Sequence, residues 1–211
     1  GTELLVLMNA AGIAPDVALG MPETLPFEFA IRNGLYDLTQ FEDFEEVYER
    51  FAPGSWVAYY YDGGYYGVPE TQSFEVMFYR TDILQALDLE VPQTWEDVYD
   101  LIPILQQNNM NFNPVNHMPF FFQTGARYYK EDGLSSALDS EKSIAAFTQW
   151  TELNTKYAVD PLVQSFYQHF RNGTIPIGIA DFNMYMQLLV GAPELNGYWK
   201  IAPIPGVRQE D

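Results

Sequence analysis

Carboxylates and aromatic rings are the side chains of this sequence with the most chemistry to offer. Glu70 and Asp181 each follow a segment that reads as a strand, and each sits in aromatic surroundings. Two carboxyl groups flanking a sugar could serve as acid and base, or acid and nucleophile, in glycoside hydrolysis. A simpler role places Glu70 at a strand end beside a hinge and makes Asp181 the cap of a helix beginning at Phe182. Capping or ligand binding is preferred over catalysis for both. The rings are concentrated: Tyr59, Tyr60, Tyr61, Tyr65 and Tyr66 crowd one stretch, and Phe120, Phe121, Phe122, Tyr128 and Tyr129 another. Sugar rings present apolar C–H faces that stack on flat aromatics, while their hydroxyls need carboxylates and amides nearby. Core and hairpin packing accounts for most of these rings.

Other chemistries find little support. His117 and His169 are far apart and lack the spacing of metal ligands. Glu131-Asp132-Gly133 lacks the alternating acids of a calcium loop. No Gly-x-Gly-x-x-Gly, phosphate loop or Gly-x-Ser-x-Gly occurs, so no cofactor is expected. The sequence has no cysteine, which rules out disulfides, thiol catalysis and cysteine-ligated metals. With 29 acidic against 10 basic residues the formal charge is −19, which repels phosphate backbones and argues against nucleic acid. A hydrophobic content of 47% is ample for a core, yet no apolar run reaches the roughly 18 residues a membrane span needs.

Periodicity supplies the scaffold. Residues 2–11 look helical, 15–20 read as a short buried strand closed by Gly20, and 26–33 suggest a second helix. Apolar positions 41, 44, 47, 48 and 51 have the rhythm of an amphipathic helix. Asp62-Gly63-Gly64 between aromatic runs predicts a hairpin over 59–66. Residues 73–80 alternate as a strand, and 81–84 open a helix. Thr94 and Asp97 have capping-box spacing at the head of a helix running to about residue 108, with a kink or break expected at Pro103. Irregular structure is expected over 109–124. A long helix starting at Asp139 or Ser140 carries the stripe Ile144, Phe147, Trp150, Leu153 and Tyr157. A helix over 163–171, a strand over 175–180, a helix over 182–190 and a strand over 198–204 follow. Alternating strands and helices predict an α/β fold.

The order of these segments resembles the family 1 extracellular solute-binding proteins of bacterial ABC importers. The resemblance is carried by Ala14-Pro15-Asp16-Val17-Ala18-Leu19-Gly20, Asp37-Leu38-Thr39 and Tyr66-Gly67-Val68-Pro69-Glu70-Thr71. It continues through Met77-Phe78-Tyr79-Arg80-Thr81-Asp82-Ile83-Leu84 and the more specific Pro92-Gln93-Thr94-Trp95-Glu96-Asp97. Phe170-Arg171-Asn172-Gly173 with the strand after it, and Pro203-Ile204-Pro205-Gly206, complete the series. The family implies a maltose-binding-protein-like, type II periplasmic-binding fold, with two α/β lobes around a hinge and cleft that close on ligand. Residues 1–72 would form a partial first lobe, 73–202 the second lobe, and 203–211 the return crossing.

The implied function is capture of a mono- or oligosaccharide and its delivery to membrane permease subunits, without catalysis. The implied location is extracellular or periplasmic, with a lipoprotein anchor in the full-length protein. Met21 and Glu23 would follow the first strand as ligand contacts, Glu70 and Gln72 would lie at the hinge crossing, and Asp181, Phe182 and Tyr185 would line the turn after a second-lobe strand. Phe121 joins them from the second aromatic cluster. The tryptophan frequent in that turn is replaced here by Phe182-Asn183-Met184-Tyr185. Two other classes stay open: a glycoside-active enzyme using a carboxylate pair, and a sugar-sensing or adhesion module without transport. Family members carry a strand and helix ahead of residue 2 and further helices beyond residue 206. The resemblance therefore implies a fragment with bare sheet edges, folding mainly through its second lobe and prone to dimerise.

Overall fold

The computed structural model describes residues 2–71 and 73–207, which divide into two compact units, 1–72 and 73–211. The first unit contains α1 (Thr2–Ala10), α2 (Leu25–Ala30), α3 (Phe44–Tyr48) and a hairpin of β1 (Tyr60–Tyr61) and β2 (Gly64–Tyr65). Its centre is aromatic. Trp56 is buried and stacks on Tyr48 at 5.0 Å, with Phe44, Phe51 and Tyr65 edge-on around it. The indole donates to Tyr48 O at 3.2 Å, so the polar atom of this large ring is satisfied. In the hairpin Tyr60 faces Tyr65 and Tyr61 faces Gly64. The two turn residues between them, Asp62 and Gly63, both have positive φ, as a two-residue turn matching strand twist requires.

The strand expected over 15–20 does not form. That segment is exposed, with Val17 at 72% and Leu19 at 74% accessibility, and belongs to no ladder among the described residues. A short apolar run specifies a strand only where a neighbouring edge accepts its backbone hydrogen bonds.

The second unit is built on one mixed sheet in the order β4-β5-β3-β6, from β3 (Glu75–Arg80), β4 (Phe112–Asn113), β5 (Ile177–Asp181) and β6 (Trp199–Ala202). β3 runs antiparallel to β5 and β6, and β4 parallel to β5. Side-chain alternation sends Met77, Ile177 and Ile179 to one core with Trp95, Ile102, Phe112 and Phe120, and sends Phe78 to the other with Phe170 and Leu188. The helices are α4 (Thr81–Ala86), α5 (Trp95–Gln107), α6 (Met118–Gln123), α7 (Glu141–Thr155), α8 (Phe166–Asn172) and α9 (Asn183–Gly191).

Local chemistry explains several of these elements. The capping box at the head of α5 is present, with Asp97 N donating to Thr94 Oγ1 and Thr94 N to Asp97 Oδ2. The helix runs on through Pro103 rather than ending there. Gly173 caps α8 in the left-handed region that a glycine tolerates. The buried Arg80 guanidinium pairs with both oxygens of Asp82 at 2.8 and 2.6 Å and donates to the last-turn carbonyls Phe170 O and Arg171 O. That places a cation where the α8 carbonyls converge.

Two segments differ from the sequence expectation. Residues 109–124 hold β4 and α6, not only irregular chain. The short β4 depends on Gly178, where a Cβ would stand 2.2 Å from Asn113 Cβ, so the two strands can pair only across a glycine. The buried face of α7 is Ser143, Ala146 and Leu153, while Ile144 and Phe147 are more than half exposed. Hydrogen bonds turn the helix: Ser143 N donates to Ser140 Oγ and Ser143 Oγ to Ala137 O. Trp150 anchors the flank by donating to Val115 O.

Candidate functional site

Because β4 and β5 are parallel, their carboxyl ends emerge on the same side of the sheet, and antiparallel β3 begins there. The crevice beyond the carboxyl ends of strands is where open α/β sheets place their ligands. Three chain segments meet at this margin: 74–75 leading into β3, 113–117 leaving β4, and 181–185 leaving β5. They bring together Asp181, Phe182 and Tyr185 from the sequence-derived set, and add Phe74, Glu75 and Asn116.

The strand ladder sorts these side chains. Phe182 N donates to Phe74 O and Arg80 N to Pro176 O, so the hydrogen-bonded pairs fall at 74/182 and 80/176. Glu75 and Asp181 are partners in a narrow, non-hydrogen-bonded pair, the class in which facing Cα atoms typically stand about 4.5 Å apart, and their side chains share one face. Asn116 Nδ2 reaches Glu75 Oε1 at 3.4 Å, and Asp181 Oδ1 accepts from Asn183 N at 2.8 Å. Burial first, and the negative charge of Asp181 second, push the Glu75 carboxyl above the ordinary carboxylate range. On the opposite face Phe74 stacks on Phe182 at 4.9 Å and Phe182 on Tyr185 at 5.3 Å, with Tyr185 edge-on to Trp199 at 5.2 Å. Phe74 is half exposed at 52%, so this column of rings ends in an accessible edge.

Sequence reasoning did not reach Phe74, Glu75 or Asn116. The available signal for the first two was position, since they open the β3 strand opposite the turn already singled out. Asn116 carried none, because it comes from the stretch read as irregular. Phe121 lies elsewhere, buried at 4% in the core and stacked on Tyr128 at 4.6 Å.

In the first unit Glu70 Oε2 accepts from Gly20 N at 2.8 Å, which brings Glu70 beside the turn carrying Met21 and Glu23. Burial, with the charges of Glu23 and Glu70, raises the Tyr59 phenol above its usual value. The Tyr59 ring lies over Gly67, where a Cβ would come within 2.6 Å of it. Met21 is half-buried, and Glu23 and Glu70 are exposed. Gln72 falls outside the described residues.

The remaining candidates are engaged in ordinary structure. His117 Nε2 is 3.2 Å from Tyr128 Oη, and His169 Nδ1 is 2.8 Å from Thr174 Oγ1. Among the described residues no group of three histidine or carboxylate side chains could hold a metal, and no helix is long and apolar enough to cross a membrane. Two open hollows of about 290 and 330 Å³ flank the 89–91 segment, away from every residue of the margin.

Comparison with known proteins bears on the fold and the family. Over 97% of the chain the fold matches the sugar-binding protein MalE from Xanthomonas citri, with TM-score 0.78, 21% identity and 56% of that chain covered. It matches maltose-bound MalE3 of T. maritima over 97% of the chain, with TM-score 0.76, 21% identity and 56% of that chain covered. These likenesses establish a type II periplasmic-binding-protein-like α/β fold. The chain is 23% identical to the arabinooligosaccharide-binding protein of Halalkalibacterium halodurans, across 96% of its own length and 48% of the relative's. It thus spans about half the length of the curated relative it matches. The family model described as "Bacterial extracellular solute-binding protein" matches residues 3–199, and the chain belongs to that family.

Proposed function

We propose that this chain is the ligand-capturing part of an ABC-importer solute-binding protein, that its ligand is a saccharide, and that the ligand is released unaltered to permease subunits. The observation that carries this reading is the margin of the second unit, where the carboxyl end of β5 presents the Glu75–Asp181 pair on one face of the sheet and the Phe74–Phe182–Tyr185 column on the other. Rings suit the apolar faces of a sugar, and carboxylates and amides suit its hydroxyls. The names of the relatives, which bind arabinooligosaccharides and maltose, support the same class.

In this reading residues 1–72 are part of a first lobe, 73–202 a second lobe and 203–211 a connecting segment. Met21, Glu23 and Glu70 are ligand contacts of the first unit, and Asp181, Phe182 and Tyr185 of the second. The protein works outside the cytoplasmic membrane, tethered as a lipoprotein. A carrier needs no acid–base turnover, and a glycosidase would: detectable Asp181-dependent cleavage of a chromogenic glycoside would put the enzyme reading first. The direct test is calorimetric titration with arabinose and maltose oligosaccharides, followed by chromatography of the released ligand. Binding with intact recovery supports the carrier.

A further inference from the structure

The Glu75–Asp181 pair has an unusual composition for a sheet margin. Two carboxylates directly opposite one another repel, which makes this a disfavoured cross-strand combination. The alternation fixed by the ladder makes it worse, because it sets them in a narrow pair. No basic side chain is hydrogen-bonded or ion-paired to either one among the described residues. β5 presents Asp181, and the segment after β4 presents the neutral Asn116, followed by His117, which is engaged with Tyr128. On its other side the chain of β6 continues into the uncharged Pro203-Ile204-Pro205. Among the described residues Asp181 is therefore the one neighbouring charge acting on Glu75.

Two such groups need not both be ionised. Asp181 already serves as an acceptor, taking the Asn183 N–H. A proton on Glu75 would turn the pair into one donor and one acceptor. Sugar hydroxyls both donate and accept, so a pair of that kind can engage two of them without leaving a buried charge unpaired.

We propose that Glu75 is the proton-carrying partner of Asp181, and that saccharide capture at this margin takes up one proton from solution onto the pair. The proposal rests on the saccharide reading above. Covering the pair with ligand removes water from it, which further disfavours a second negative charge. The bound proton comes from the buffer acid, and no bond other than O–H forms or breaks. Glu75 then acts as a specificity-determining residue, because the donor it supplies selects ligands with an acceptor oxygen at that point.

The test is titration calorimetry of the 211-residue chain with arabinotriose and maltose at pH 5.0, 6.0 and 7.5, in buffers of differing ionisation enthalpy. Proton uptake approaching one per ligand is expected near neutral pH, with affinity about tenfold weaker at pH 7.5 than at 5.0. Glu75→Gln carries a permanent N–H donor and is expected to lose both the uptake and the pH dependence. Glu75→Ala is expected to weaken binding about tenfold or more at pH 5.0. A side-chain carboxyl NMR titration of the ligand-free chain gives an independent reading, in which Glu75 should titrate above the ordinary glutamate range and return toward it in Asp181→Asn. Saccharide binding with no proton uptake overturns the proposal and leaves the saccharide reading standing. Absence of binding by any saccharide overturns that reading and the proposal with it.

Discussion

Phe182 donates its backbone N–H to Phe74 O at 2.9 Å, and the two rings stack 4.9 Å apart with planes 20° from parallel. One strand pair thus fixes both the backbone and the side chains of two segments more than a hundred residues apart in sequence. The column stands where β3 begins and β5 ends, and Tyr185 is carried by the first turn of α9, so regular elements hold it, which fits a site that must keep its geometry before ligand arrives.

Loss of a ring from this column should weaken saccharide binding. Phe182→Ala and Tyr185→Ala are each expected to cost about 1 kcal/mol or more of binding free energy, read by calorimetry. Phe121→Ala should instead lower the melting temperature by several degrees, since Phe121 is a core residue.

Arg80 should be a stability residue. Its guanidinium satisfies Asp82 and two α8 carbonyls from a site only 8% exposed. Arg80→Met is expected to destabilise the second unit by about 2–4 kcal/mol in denaturant titration. The pH dependence has a definite sign. Hydrogen bonds and charge from Arg80 outweigh burial and hold the Asp82 carboxyl below its ordinary value. Its contribution is complete above the unfolded value and is lost as pH falls through the folded one. The variant should show a shallower acid limb in the same titration.

Glu75 has the opposite sign. Its carboxyl is raised in the folded chain, so the native state holds the proton more tightly than the unfolded state. Stability should fall as pH rises from the ordinary glutamate value to the raised one. Glu75→Gln should remove that slope, giving a chain more stable than the parent at pH 7.5 by thermal denaturation.

Gly178 tests the β4–β5 pairing. An added Cβ would meet Asn113 Cβ at 2.2 Å and its backbone at 2.8 Å. Gly178→Ala is expected to cost about 2–3 kcal/mol through overpacking. Asn113→Gly in the same chain should recover part of that loss, which a double-mutant cycle would register as coupling.

The parts of the fold legible in the sequence were those set by local chemistry. Thr94 and Asp97 announced the start of α5, Asp62-Gly63 the hairpin turn, and Asn172-Gly173 the end of α8. Tertiary partners decided the rest. Residues 15–20 had strand composition but gained no neighbouring edge, and Ser143 rotated α7 away from its apolar stripe by hydrogen bonding Ala137. The candidate site was half legible for the same reason. Asp181, Phe182 and Tyr185 could be named because they follow a recognisable strand. Glu75 and Asn116 became part of the group only through register and a crossover, which no local pattern encodes.

The central claim is that this chain binds saccharide, and ligand-induced stabilisation measures it most directly. The 211-residue chain should be heated alone and with arabinose oligosaccharides, maltose oligosaccharides, an amino acid mixture and a polyamine. At 100 times its dissociation constant, a ligand that binds only the folded chain adds about 2.7 kcal/mol, a rise of several degrees. The account predicts that rise with at least one saccharide, a smaller rise for Tyr185→Ala at the same ligand concentration, and no rise with the amino acids or polyamine. Stabilisation by the amino acids or the polyamine alone, with every saccharide silent, would contradict it.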